Sequence, residues 1–486
     1  MVGPALATST LLLVAGACSS EKSNPQGVSG SGASSGAGAS GGSSSSGSGS
    51  GAASPGSGGS IIISDSGTGP CVGLECKQTT CSSGACEVPA CTNGALTTVS
   101  GTVYDPSGTL PLYNVMVYVP NGPLDPIVEG ATCSTCDVTV SGDPVVTALT
   151  DEAGRFVLED VPVGEQIPLV IQVGKWRRQV TLPAVTACTD NPILDSNLTR
   201  LPANQSEGDM PRIAVSTGGQ DALECLLRKI GIADSEFTNP DGGGRVNLFF
   251  SRGGADSYAS GEDFPSAANT LWNSLENLQR YDVVLLNCEG NEYPNDKPLA
   301  ARQALLDYLN AGGRAFLSHW HKAWIERGPD PLPNILTFNR TDNDQNITAT
   351  IDTSFPKGQA LAQWLVNVQG STTLGQVELI DAQNTAASEN PEYATRWIYD
   401  PMDQFTGETS VKYVTANTPI GVPAEQQCGR VVYSDIHVSS GDTSRPFPTG
   451  CTSEGLSPQE RVLIFMLFDL SACIIPDDVV PQPPPK

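Results

Sequence analysis

Basic charge is scarce in this chain. Its 486 residues carry 26 Lys and Arg against 52 Asp and Glu, a formal net charge of −26. Nucleic acid and anionic membrane surfaces both demand basic patches, so neither fits as a partner. Only 16% of residues are charged, so the acidity is spread thinly and mainly suits solubility. Long apolar runs are missing too, and none reaches the roughly 18 residues a spanning helix needs. Gly218-Gly219, ahead of a predicted helix, has the shape of an anion cradle. It is neither a G-x-G-x-x-G nor a Walker loop, so nucleotide binding has little support. Histidine occurs three times, as His319, His321 and His437.

Cysteine, by contrast, is plentiful: 14 residues point to an oxidising compartment. The length leaves room for two or three domains. Residues 11–18, LLLVAGAC, form a short apolar stretch ending in small residues and a cysteine, which reads as a secretory signal. The stretch resembles the lipobox of bacterial lipoproteins, although Ala15 stands where that family usually has Leu and no Lys or Arg precedes the run. The resemblance implies cleavage before Cys18 and acylation on it; an ordinary secretion signal is the alternative. Residues 19–70 collapse to Gly, Ser and Ala and read as a disordered tether. Its root-mean-square span is about 40 Å by coil scaling. An acylated cysteine with a long tether behind it predicts an extracytoplasmic lipoprotein held by a lipid anchor at the outer membrane or cell surface.

Cys71, Cys76, Cys81, Cys86 and Cys91 follow at a spacing of five, in a segment at residues 71–95 with no core of its own. Zinc sites usually carry close C-x-x-C pairs, which this array lacks, so disulfide staples are expected. Residues 96–202 then break into short alternating strands punctuated by Gly and Pro. VSGTVYDPSGTLPLYNVMVYV and TDEAGRFVLEDVPVG resemble the carboxypeptidase regulatory-like (transthyretin-like) β-sandwich. This implies a non-catalytic spacer, with Asp151 to Gly154 as a turn and Phe156 and Leu158 facing inward. An insert before Val145 carries Cys133 and Cys136; no thioredoxin-like βαβ pattern surrounds them, so a structural bridge is expected. Lys175-Trp176-Arg177-Arg178 reads as a solvated strand edge.

Beyond residue 207 the pattern becomes βαβ, the rhythm of a parallel sheet, and continues to residue 475 ahead of a Pro-rich tail at 476–486 expected to be disordered. Strands are predicted at residues 212–216, 246–250, 281–287, 315–317 and 429–437, and Ser457-Pro-Gln-Glu460 opens a capped final helix. RIAVSTGG, YDVVLLN, GGRAFLSH and GRVVYSDIH resemble the ThuA-like branch of the class I glutamine amidotransferase-like fold. His319 falls on that family's position after a Gly-Gly strand, while Gln220-Asp221 stands where a histidine often follows the opening Gly-Gly. The expected architecture is therefore multidomain: an all-β sandwich, then a flavodoxin-like α/β domain with a parallel sheet.

Ligands of open α/β sheets bind beyond the carboxyl ends of the strands. All three histidines lie there, with Cys288 and Glu289 at the end of another strand. Three chemistries fit. In the first, Cys288 is a nucleophile served by His319 or His437, with Glu289 or Asp435 orienting the imidazole, as in a Cys–His hydrolase or amidotransferase-like enzyme. Against it, Asn287-Cys288-Glu289-Gly290 lacks the first glycine of a G-x-C-x-G elbow. In the second, His319-x-His321 places two imidazoles on one side of an extended segment, and His437 with a carboxylate completes a zinc-like set. In the third, Trp320, Trp324, Tyr293, the histidines and Glu289 line a pocket for a small polar ligand such as a sugar. The third is the leading functional reading, set beside a structural cluster of hydrogen-bonded His and Trp. It calls for no cofactor, a divalent metal such as zinc being the alternative. Among the cysteines, eight from Cys71 to Cys188 are expected to pair among themselves, leaving an odd five in the α/β region with Cys288 unpaired.

Overall fold

The computed structural model describes residues 91–483 other than 137, 138, 341 and 439. Cys18, the tether and the cysteines at 71, 76, 81 and 86 lie outside the described residues. The described chain is mixed α/β with three sheets. No helix among the described residues is long and apolar enough to cross a membrane.

The first seven strands are β1 (Thr98–Thr102), β2 (Met116–Pro120), β3 (Pro144–Leu149), β4 (Arg155–Glu159), β5 (Gly164–Val173), β6 (Trp176–Val185) and β7 (Asp190–Pro192). They make a three-stranded sheet in the order β4-β1-β7 and a four-stranded antiparallel sheet in the order β3-β2-β5-β6. The Asp151–Gly154 turn is present, closed by Gly154 N–H on the Asp151 carbonyl at 2.9 Å. Phe156 and Leu158 are buried, and the turn carries the chain from one sheet to the other. Cys91 is bonded to Cys188, closing this region on itself.

The large sheet uses β8 (Ile213–Ser216), β9 (Phe237–Thr238), β10 (Val246–Phe249), β11 (Val283–Leu286), β12 (Arg314–Ser318), β13 (Leu336–Phe338), β14 (Gln345–Ile351), β15 (Gln376–Ala382), β16 (Ala386–Glu389), β17 (Thr395–Asp400), β18 (Ser410–Thr418) and β19 (Gly429–Ser434). Six of them, in the order β19-β12-β11-β8-β10-β9, are parallel. β8, β11, β12 and β19 are wholly buried and mostly apolar or small, as a sheet covered on both faces requires, with Arg314 and Arg430 as the charged exceptions near the strand starts. β18, β17, β14 and β15 extend the sheet antiparallel beyond β19. The principal helices are α1 (Leu223–Lys229), α2 (Leu299–Asn310), α3 (Pro356–Asn367) and α4 (Pro458–Ser471). α4 begins with the expected capping box: Ser457 and Glu460 satisfy each other's backbone N–H.

Several expectations are corrected. Two disulfides, Cys133–Cys428 and Cys136–Cys473, run from the insert before β3 into the α/β region, so the first eight cysteines do not pair only among themselves. The two small sheets also share a core with α4, where Tyr113 stacks on Phe465 at 5.7 Å and Trp176 meets Phe468 at 6.1 Å. The basic spot is no solvated edge: Trp176 and Arg177 are buried, and Lys175 bonds to Asp282 at the foot of β11. The start of the Pro-rich tail is also ordered by partners, because Asp477 is buried against Arg430 and Thr415.

Candidate functional site

Parallel registration sets the site. Leu286, Leu317 and Tyr433 lie side by side on β11, β12 and β19, so the three chains leave the sheet at one level. Cys288 comes two residues after β11, His319 one residue after β12, and His437 three residues after β19. Their sulfur and nitrogen atoms converge to within 4.8 Å of one another. Cys288 Sγ is 3.5 Å from His319 Nδ1, and the His319 and His437 rings are 5.1 Å apart. Cys288 is 0% exposed, His319 2% and His437 9%.

Asp221, just before α1, ties the three loops together. Its Oδ2 accepts the Cys288 N–H at 3.1 Å and the Ser318 hydroxyl, and its Oδ1 accepts the Val438 N–H at 2.8 Å. Each donor is a site residue or its immediate neighbour. The Gly218-Gly219 turn serves close packing here, not an anion: a Cβ on Gly218 would sit 2.4 Å from the Cys288 carbonyl oxygen.

His319 adopts a left-handed backbone, φ 35°, a conformation that costs energy in a non-glycine residue. The single proton of the Tyr433 hydroxyl is shared between two acceptors, Asp435 Oδ1 at 2.7 Å and the His319 carbonyl at 3.0 Å. Beyond the ring, His319 Nε2 lies 2.9 Å from Asp342 Oδ1 and 2.9 Å from Thr385 Oγ1. His437 is buried, and its Nε2 has no hydrogen-bond partner among the described residues.

The electrostatics follow from burial. Desolvation pushes the Cys288 thiol well above its ordinary pKa, and the Asp221 charge pushes the same way; the Trp320 and Gly290 amides oppose this in part. Burial holds His437 below the usual histidine value, with Asp221 opposing and His319 reinforcing the shift. Asp342 is raised by desolvation, but the His319 hydrogen bond and the two imidazoles outweigh that and leave it below the usual carboxylate range. On α1, burial raises Glu224 to about 7, although Asn287 Nδ2 donates to it at 2.8 Å.

The other expected site residues have different partners. His321 is not beside His319, because the chain turns at His319 into a 3₁₀ turn, His319–Lys322. Its Nδ1 accepts the Trp324 indole N–H at 2.8 Å, so Nε2 donates to the Asn287 carbonyl at 2.9 Å. Both nitrogens are taken, and burial followed by the Lys297 charge holds its pKa well below the ordinary value. His321 and Trp324 are thus a satisfied pair behind the site, which corrects the His319-x-His321 ligand set. Glu289 does not orient an imidazole of the cluster; its carboxylate holds Lys297 and the Ser251 hydroxyl. Asp435 accepts from Tyr433 and the Ala386 N–H, acting on the His319 backbone rather than its ring. Tyr293 is half-buried under the Arg252 guanidinium. Trp320 does lie against the cluster, 5.0 Å from the His319 ring. Cys288 is the free cysteine among the described residues, as expected.

Asp342, Thr385 and Asp221 escaped sequence reasoning as site residues. Asp342 and Thr385 come from loops flanking β14 and β15, with no local pattern to mark them. In the sequence Asp221 stands only as part of the Gln220-Asp221 pair that replaces the histidine of the ThuA-like pattern.

No family model matches the chain, and neither does any curated protein sequence. Among solved structures, one described as a thua-like protein from Bacteroides uniformis is similar over 53% of this chain and 90% of its own, at 14% identity and a TM-score of 0.29. A cohesin–X-dockerin complex from Acetivibrio cellulolyticus is similar over 29% of this chain and 75% of that one, at 18% identity and a TM-score of 0.15. Overlap at these scores carries no argument for fold or function.

Proposed function

We propose that this chain is an extracytoplasmic binding protein, tethered to the cell envelope through an acylated Cys18, whose ligand site is the Cys288–His319–His437 cluster. One observation carries the reading: three reactive side chains converge at the strand ends while His437 Nε2 is buried with its bonding capacity unused. An unpaired buried nitrogen costs of the order of 1–3 kcal/mol, a penalty that an arriving ligand removes. Trp320 beside His319 adds a flat apolar edge of the kind that small polar ligands such as sugars use. The two small sheets, read as a transthyretin-like sandwich, form a rigid platform bridged twice to the α/β region. Two or more acyl chains on Cys18 anchor stably, and the span from residue 19 to 70 holds the body off the membrane.

The test is thermal unfolding of the full chain against a panel of neutral and acidic mono- and disaccharides, beside His437→Gln. A ligand-dependent rise in Tm that disappears in His437→Gln is expected. A panel that moves both proteins equally, or neither, counts against the cluster as a sugar site.

A second reading has its own observation. Cys288, His319 and Asp342 stand in the order nucleophile, base, orienting carboxylate, with separations of 3.5 and 2.9 Å. This is a Cys–His hydrolase arrangement with Asp342 in the role that Glu289 or Asp435 was expected to play. The resting thiol, raised by burial, weighs against it, because the thiolate is the nucleophile.

A further inference from the structure

We propose that the ligand held by Cys288, His319 and His437 is a soft divalent transition-metal ion of the zinc–copper class. This rests on the binding reading above and names the ligand of the same site. Asp342, an acceptor when ionised, lies 2.9 Å from His319 Nε2, so the proton sits on Nε2 and Nδ1 keeps its lone pair. That lone pair faces Cys288 Sγ at 3.5 Å. A carboxylate behind a histidine is how outer-shell groups fix the tautomer and aim an imidazole at a metal.

The spacing fits. With zinc–sulfur bonds of about 2.3 Å and zinc–nitrogen bonds of about 2.0–2.1 Å, a tetrahedral centre puts sulfur and nitrogen roughly 3.6 Å apart. His437 supplies the third atom, with all three inside 4.8 Å of one another. Nothing holds its Nε2 back, since that atom has no partner to give up. Sulfur with two nitrogens selects zinc or copper and disfavours calcium and magnesium, which take oxygen ligands. Three protein donors leave a coordination position for water or a second ligand.

The balance is simple. In the metal-free protein the Cys288 S–H donates to His319 Nδ1; on binding, that proton passes to solvent and both atoms ligate the ion. One thiolate and two neutral imidazoles around a dication leave a charge of +1, facing the carboxylates of Asp221 and Asp342. Asp342 and Thr385 are positioning residues, acting through His319.

The experiment uses the full chain dialysed against a chelator, then titrated with zinc in competition with a chromophoric chelator, and separately with copper(II) and cobalt(II) by optical absorption. The four cysteines at 71, 76, 81 and 86 make the difference between proteins the meaningful quantity. Wild type should bind one equivalent more than Cys288→Ser, show a cobalt–thiolate charge-transfer band and release a proton. His437→Gln should weaken that equivalent at least tenfold, and Asp342→Asn, at the half-exposed rim, by about 10- to 100-fold. These two keep the test alive if Cys288→Ser misfolds. An intense visible thiolate-to-copper band marks a copper site; zinc binding without that band marks a zinc site. Equal metal uptake by wild type and all three variants overturns the inference. If metal uptake is equal but a His437-dependent sugar shift persists, the metal assignment fails and the binding reading stands. If both are absent, both fail.

Discussion

The Asp221 carboxylate accepts the backbone N–H of Val438 at 2.8 Å, across 217 residues of sequence and one residue past His437. The same carboxylate fixes Cys288 and the residue before His319. A group that registers three loops at once sets the geometry of whatever the cluster binds, although it bonds to backbone N–H groups and the Ser318 hydroxyl rather than to the reactive atoms.

Asp221→Asn should therefore cost both stability and ligand affinity. The variant keeps one acceptor oxygen but turns the other end into a donor facing N–H and O–H groups. Hydrogen bonds to a charged acceptor contribute about 1.5–3 kcal/mol each, and losing one or two predicts a fall of roughly 2–4 kcal/mol. Urea unfolding measures it. A midpoint within error of wild type means that the three loops register without this carboxylate.

Cys288 should resist alkylation in the native protein. Its sulfur is fully buried, and desolvation followed by the Asp221 charge keeps it protonated to well above the usual thiol range. Raising the pH across that usual range should leave the rate almost flat, with fast labelling only in denaturant. A rate that climbs below pH 8 instead identifies an activated thiolate, and the hydrolase reading then takes precedence.

The sheet core was legible because its signal is local. Val283–Leu286 is apolar, β-branched and bounded by turns, and it forms β11 as expected. The strand-end placement of Cys288, His319 and His437 followed from that. His321 was misplaced because alternation assumes an extended chain, and the left-handed turn at His319 ends the extension one residue too soon. Asp342 and Thr385 were invisible for the opposite reason: they reach the site only through folding of the antiparallel wing. Cys288 was correctly expected to be free, but by parity within a closed domain. In the structure Cys428 and Cys473 take partners from the insert and Cys225 takes Cys451, so Cys288 is left over by a different route.

Those long-range bridges are directly checkable. Non-reducing digestion followed by mass analysis should yield peptides linking Cys133 to Cys428 and Cys136 to Cys473. They close 295 and 337 residues of sequence, which in the chain-entropy picture is worth several kcal/mol for a first crosslink and less for the second. Paired substitution of Cys136 and Cys473 by Ser should lower the unfolding midpoint by about 2–4 kcal/mol equivalent. Recovery of a Cys133–Cys136 peptide contradicts the structure outright.

The last prediction concerns acid stability. Asp477 is buried between Arg430, at 2.6 Å, and Lys357, at 3.4 Å, and accepts from Thr415 at 2.7 Å. Burial alone raises a carboxyl, but here the Arg430 and Lys357 charges and these hydrogen bonds outweigh it and depress Asp477 to about 2. A folded pKa below the unfolded value, about 3.9, means that the native state favours the ionised form. The resulting stability is present in full above the unfolded pKa and drains away as pH falls from about 4 through 2, a loss of roughly 2–3 kcal/mol. Asp477→Asn removes the titration and leaves two buried cations short of a partner, although Asp469 still reaches both. The variant should be less stable than wild type by about 3 kcal/mol at neutral pH. That gap should narrow between pH 4 and 2, as protonation makes the wild-type side chain equally neutral. A gap that stays constant down to pH 2 removes Asp477 as an acid-sensitive strap and leaves the C-terminal segment held by Cys136–Cys473 and the Arg314 contacts to the Leu470 and Ala472 carbonyls.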